Sequence, residues 1–167
     1  MNIVLIGYRG TGKSSVARVL SKELKLPVLN MDEEIIKKAG MSIPEIVEKF
    51  GWDKFRDLES EIAEQVSNID NYIIDTGGGV ILRNKNVKNL RKNSEVFWLK
   101  ADIATIVKRI KHGTHRPSLT EGKGFVEEIE DVLVQRKKKY EKTADYIIDT
   151  SKLSSSDVAK KIISLMK

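Results

Sequence analysis

The chain has no cysteine. That excludes disulfides and thiolate metal sites, and it suits a reducing compartment, so a cytoplasmic location is expected. Histidine is scarce: His112 and His115 are the only copies. They lack the ligand company of a metal centre and read as loop surface. No apolar run approaches the roughly 20 residues of a membrane-spanning helix. The N-terminus also lacks the basic stretch and long apolar segment of a signal peptide, so no membrane partner is expected. Aromatic residues make up 6% of the chain, and none interleaves with the lysines as in a single-strand nucleic-acid binder. The net charge of +6 is therefore read as a solvated face plus a pocket for anionic small molecules, with no nucleic-acid partner. Lys137-Lys138-Lys139 is the one basic cluster.

Against these absences stands one motif at the start of the chain. Residues 7–14 read Gly-Tyr-Arg-Gly-Thr-Gly-Lys-Ser, the G-x-x-x-x-G-K-[ST] phosphate loop. Ile3-Val4-Leu5-Ile6 before it suits a buried strand, and Val16, Val19, Leu20 and Leu24 after it recur at helical spacing. Gly7, Gly10 and Gly12 permit a tight turn that aims backbone N–H groups at an anion, joined by the helix N-terminus. The expected nucleotide contacts are Gly10, Thr11, Gly12, Lys13, Ser14 and Ser15. Lys13 would reach the β- and γ-phosphates, and the Ser14 hydroxyl would ligate Mg²⁺.

The 167 residues suffice for one domain with a full core. Candidate strands at 2–6, 28–30, 72–75, 95–99 and 146–149 alternate with helical patterns. This predicts a three-layer α/β/α fold around a five-stranded parallel sheet, with chemistry at the carboxyl ends of the strands. The stretch of about 32–67 is longer than a simple crossover needs and reads as a helical insertion for a second substrate. Ser42 and Glu45 form a capping box there, followed by a stripe of Ile43, Ile46, Val47 and Phe50; a second helix is expected after Gly51, with Phe55, Leu58, Ile62 and Val66 on its inner face. Residues of about 111–124 are polar and glycine-containing and are expected to form a lid that excludes water.

Several side chains could carry chemistry. Asp32 follows the second strand and suits either a base for an acceptor hydroxyl or the N-cap of a helix over 33–38. Arg56 lies off the apolar face, where pattern alone suggests a surface pair with Asp53 or Ser60. Arg136 falls on the inward stripe of Phe125, Ile129, Val132, Leu133 and Tyr140, so it needs an anionic partner, either an internal carboxylate or a ligand. Asp75-Thr76-Gly77-Gly78-Gly79 ends the third strand, where an Asp can hold Mg²⁺ through water and glycines admit a ligand. Trp52 and Trp98 read as packing residues.

These motifs in this order resemble shikimate kinase along essentially the whole chain: the loop at 7–14, Met31-Asp32, Phe55-Arg56 with Glu59 and Glu61, Gly77-Gly78-Gly79, Thr114-His115-Arg116-Pro117-Ser118-Leu119, and Arg136 with Tyr140. The resemblance implies transfer of the ATP γ-phosphoryl group to the 3-hydroxyl of shikimate, in a monomeric enzyme using Mg²⁺. It implies Asp32 as base, Arg56, Arg136 and the Gly78 N–H as shikimate contacts, Arg116 on the phosphates, Arg109 against adenine and Lys152 in the adenine loop. It also turns Arg56 from a surface residue into a ligand clamp. The family usually has Asp-x-Asp after the second strand and a small neutral residue at position 75; here Asn30 and Asp75 occupy those places. The expectation is that the carboxylate serving the metal's water shell has moved to Asp75. Alternatives on the same scaffold are another small-molecule kinase, such as a gluconate kinase, or a nucleotide-dependent regulatory module without turnover.

Overall fold

The computed structural model describes residues 1–110 and 124–167. Five strands, β1 (Asn2–Ile6), β2 (Val28–Asn30), β3 (Ile73–Asp75), β4 (Ser94–Lys100) and β5 (Tyr146–Asp149), form one sheet in the order β2-β3-β1-β4-β5. All four strand pairings are parallel, as the alternation of strand and helix predicts. The helices are α1 (Lys13–Leu24), α2 (Met31–Ala39), α3 (Ile43–Val66), α4 (Asn84–Arg91), α5 (Ile103–Ile110), α6 (Phe125–Thr143) and α7 (Ser155–Leu165), with a 3-10 turn at Val80–Leu82.

Strand alternation sorts the core into two layers. On one face of β1, Ile3 and Leu5 pack with Val16 and Leu20 of α1 and with Val158 and Ile162 of α7. On the other, Val4 and Ile6 pack with Ile35 of α2, Ile46, Leu58 and Ile62 of α3, Leu90 of α4 and Tyr140 of α6. Tyr8, just past β1, joins a third cluster with Ile106, Ile110, Ile129 and Val132. Because β1 lies between β3 and β4, the segment after Ile6 emerges where the sheet order changes direction, the usual place for a ligand crevice.

Three local expectations change. Asn30, not Asp32, caps α2: its side chain accepts from the Glu33 N–H at 3.1 Å. Both residues are competent caps; β2 ends at Asn30 as expected and the helix begins two residues earlier than expected, at Met31, which leaves Asp32 in its first turn, lining the cavity. The Ser42–Glu45 capping box forms and α3 breaks at Gly51 (φ 82°) as expected, but Phe50 beside the break is exposed rather than part of the apolar stripe. On α6 the buried stripe begins at Ile129; Phe125 in the first turn is exposed.

Candidate active site

A cavity of roughly 720 Å³ runs along the carboxyl edge of the sheet. The loop between β1 and α1 forms its floor. Gly12 caps α1 in the left-handed region (φ 94°) with no side-chain cap, so the helix's first N–H groups face the cavity and can bind an anion. Lys13 is buried, and its Nζ donates to the carbonyls of Gly7 (2.6 Å) and Tyr8 (3.0 Å), which fixes the ammonium on the inner side of the loop. Gly10, Thr11, Ser14 and Ser15 also line the cavity. Arg109 closes one side, donating to the Thr150 carbonyl (3.0 Å), the Thr150 hydroxyl (3.1 Å) and the Gly10 carbonyl (3.3 Å). Thr150 in turn donates to the Thr11 carbonyl at 2.9 Å. Lys152 is exposed and does not line the cavity; Thr150 and Leu153 occupy that wall instead.

The far wall carries the carboxylates Asp32 and Asp75. Strand register places Asn30 directly beside Asp75. Oδ2 of Asp75 accepts from the Ser14 hydroxyl at 2.6 Å and from the Asn30 amide at 3.0 Å. Burial pushes the Asp75 carboxyl above its usual pKa, with Lys13 and the Ser14 hydrogen bond pulling the other way. These are hard oxygen donors at the phosphate end of the loop, the chemistry Mg²⁺ takes. Among the described residues no group of three or more His, Asp or Glu side chains could form a closed metal cage. The donor set thus fits an ion shared with phosphates and water.

A second, narrower recess opens beside the first and is lined by Tyr8, Arg9, Trp52, Phe55, Arg56, Glu59, Gly78, Gly79 and Arg136, among others. Arg9 and Gly78 line both cavities, so the two meet there. Arg136 is 7% exposed, as its place on the inward stripe requires. Arg56 is not paired with Asp53 or Ser60. Its Nη1 donates to Oε1 of Glu59 at 2.8 Å, and its guanidinium lies over the Phe55 and Trp52 rings. Trp52 is therefore a wall of the recess as well as a packing residue. Glu59 is 1% exposed, and burial raises its pKa while Arg56 and then Arg136 lower it. Three guanidinium groups against one carboxylate leave the recess with excess positive charge, which an entering carboxylate would balance.

The glycine triplet lies against both the carboxylates and the arginines. A Cβ on Gly77 would stand 3.0 Å from Oε2 of Glu59 and 3.1 Å from Oδ1 of Asp32; one on Gly79 would overlap the Arg56 guanidinium. Asp32, Glu59 and Arg56 can close on this backbone only because it carries no side chains. Glu59, Arg9, Thr150 and Tyr140 were not singled out as site residues on sequence grounds. Glu59 sits three residues after Arg56, a spacing that fits a helix-surface pair equally well. The expected lid, with Arg116, lies outside the described residues except for Gly124.

Residues 9–167 match the family model for shikimate kinase. The chain is 44% identical over 162 residues to the shikimate kinase of Thermodesulfovibrio yellowstonii, covering 97% of this chain and 92% of that one. Among solved structures it is similar to shikimate kinase from Acinetobacter baumannii in complex with shikimate, with a TM-score of 0.92, 32% identity, and 98% and 91% of the two chains covered. It is also similar to shikimate kinase from Aquifex aeolicus, with a TM-score of 0.81, 31% identity, and 98% and 94% covered.

Proposed function

Because the chain belongs to the shikimate kinase family, an ATP-dependent phosphotransferase family acting on a hydroxyl group, we propose that it transfers the γ-phosphoryl group of ATP to the 3-hydroxyl of shikimate. The observation that carries this reading is the junction of two basic cavities at Arg9 and Gly78, with Asp32 beside it. One cavity is built on a phosphate loop, and the other is built to neutralise a carboxylate. ATP would lie along the first, its phosphates over the loop N–H groups and Lys13 and its base toward Arg109. Shikimate would enter the second, its carboxylate against Arg56, Arg136 and the Gly78 N–H. That pose aims the acceptor hydroxyl at Asp32. The Asp32 carboxylate accepts the hydroxyl proton as the oxygen bonds to the γ-phosphorus and the bond to the ADP oxygen breaks. The reaction needs positioning and neutralisation of charge more than covalent help, and Lys13 with the arginines supplies both. The same arginines disfavour neutral polyols, which would leave them unpaired in a closed site. Arg116 of the expected lid is assigned to the phosphates on the family resemblance alone. A cytoplasmic, monomeric enzyme completes the proposal; no helix among the described residues is long and apolar enough to cross a membrane.

ADP release tests the acceptor. With ATP, shikimate should stimulate turnover and gluconate should not; stimulation by gluconate alone would replace this reading with the gluconate kinase one.

Ser14 and Asp75 would hold Mg²⁺, Asp75 through water, and the ion would neutralise charge on the transferring phosphates. Asn30 cannot share this work as an anion; its amide instead donates to Asp75 and its carbonyl caps α2. Asp75→Asn should therefore weaken Mn²⁺ binding to the enzyme–ADP complex about tenfold, near 1.4 kcal/mol, as read by electron paramagnetic resonance. Asn30→Ala should change it less than about twofold and cost about 1 kcal/mol of stability through the lost cap. Equal, minor effects on metal binding would remove Asp75 from the metal site.

A further inference from the structure

The glycine triplet shows a one-sided pattern of hydrogen bonding. The Gly77 carbonyl accepts from the Val80 N–H at 3.2 Å and the Gly79 carbonyl from the Leu82 N–H at 3.1 Å. The Gly78 carbonyl accepts from a side chain, the Tyr140 hydroxyl, at 2.5 Å. All three carbonyls are thus held by the protein. Among the described residues, none of the three N–H groups donates to another part of the chain. The triplet's acceptors are tied down, while its donors meet no acceptor among the described residues.

Tyr140 is built to hold this pattern. It is fully buried, and its ring stacks on Trp98 with centroids 5.3 Å apart and planes 18° from parallel. Burial, opposed by Arg136, pushes its pKa up to about 12, so the phenol remains a proton donor at working pH. A peptide unit is planar, so fixing the Gly78 carbonyl also fixes the opposed Gly79 N–H and restrains the peptide before it. Consecutive glycines have no side chains to restrict their backbone, and this anchor supplies the missing restraint. The anchor and a substrate arginine share one element: Arg136 lies one turn before Tyr140 on α6, and a Cβ on Gly78 would stand 3.5 Å from Arg136 Nη1.

We propose that Tyr140 is a positioning residue for substrate: by holding the Gly78 carbonyl it sets the spacing between the triplet's N–H groups and Arg136, and so the fit of the substrate carboxylate. Tyr140 touches no reacting atom; its effect runs through Gly78 and through Arg136, which its hydroxyl also meets. The proposal rests on the reading of the recess as a carboxylate site.

The experiment compares shikimate with its analogue in which the carboxylate is reduced to a primary alcohol. Tyr140→Phe keeps the ring and its stack and removes only the hydroxyl. The expected result is a KM for shikimate about tenfold higher, with kcat and the KM for ATP within about twofold of wild type, and no change in KM for the alcohol. In an Arg136→Met background, adding Tyr140→Phe should have a much smaller effect on the shikimate KM, because both changes act on one contact. A merely structural tyrosine would lower the melting temperature and shift both acceptors together, or shift neither; either outcome overturns the proposal. Were the carboxylate reading itself wrong, wild type would not discriminate between the acid and the alcohol. The two failures are therefore distinguishable.

Discussion

Replacing Asp32 with asparagine should lower kcat for shikimate phosphorylation by a factor on the order of 10² to 10⁴ while ATP affinity stays within about twofold. The substitution preserves size and a hydrogen-bonding oxygen but removes the proton acceptor. Asp32 stands in the first turn of α2, lines the nucleotide cavity and packs against Gly77, as Glu59 of the arginine recess also does. It is thus the carboxylate at which the two substrates' reacting groups would meet. The capping bond of α2 belongs to Asn30, so the helix should survive the change. The cost to the fold should be limited to the favourable placement of an anion at a helix N-terminus, about 0.3–1 kcal/mol. Steady-state kinetics with a thermal melt check this. A full loss of activity with a large drop in melting temperature would make Asp32 structural, and a kcat within tenfold of wild type would remove it as the base.

Arg56→Met should abolish measurable saturation by shikimate and also destabilise the protein by about 3–5 kcal/mol at neutral pH. Both effects come from one pair. Arg56 is the hydrogen-bonded counter-charge of Glu59, which is 1% exposed. Without it, Glu59 is a buried carboxylate opposed only by the more distant Arg136 and Arg83. The sign of the pH dependence follows from the direction of its pKa. Burial already holds the Glu59 carboxyl above the ordinary glutamate range, and Arg56 is the largest opposing influence, so removing Arg56 raises it further. A carboxyl raised in the folded state favours folding when protonated and loses that contribution as pH rises through the folded pKa. The variant's deficit relative to wild type should therefore be small near pH 4.5 and grow toward neutrality. Urea denaturation of both proteins at several pH values reads this directly. The double variant Arg56→Met/Glu59→Gln should regain most of the stability and none of the shikimate affinity. A deficit independent of pH would show that lost packing on Trp52 and Phe55, not the unpaired carboxylate, sets the cost.

The phosphate loop was legible because its architecture is local: a strand, a glycine turn and a helix adjoin in sequence, and its backbone N–H groups, Lys13 and Ser14 all belong to one short segment. The parallel sheet was legible from five short apolar runs separated by helical patterns. The inward Arg136 was legible as a charge out of place on an apolar stripe. What escaped depended on tertiary neighbours. Arg56 and Glu59 have the spacing of an ordinary surface pair on a helix, and only the recess shows that both are drawn inside. Asn30 and Asp32 are equally able to cap a helix, and the choice follows from where β2 ends. Tyr140 looked like one more apolar contact, since its hydroxyl partner is 62 residues away in sequence. The exposed Phe50 and Phe125 lie where a helix breaks or begins, beyond the reach of the core that periodicity assumes. Asp75 was noticed as a departure from the family pattern, but its bonds to Ser14 and Asn30 needed strand register to appear.

Together the two cavities would bring the γ-phosphate of ATP to one hydroxyl of a carboxylate-anchored substrate. ³¹P nuclear magnetic resonance of the purified protein with ATP, Mg²⁺ and shikimate tests it most directly. The expected result is ADP and a single phosphomonoester signal that correlates with the proton at carbon 3 of shikimate, with no inorganic phosphate formed in step. Inorganic phosphate in place of the ester, or phosphorylation at a different hydroxyl, would contradict it.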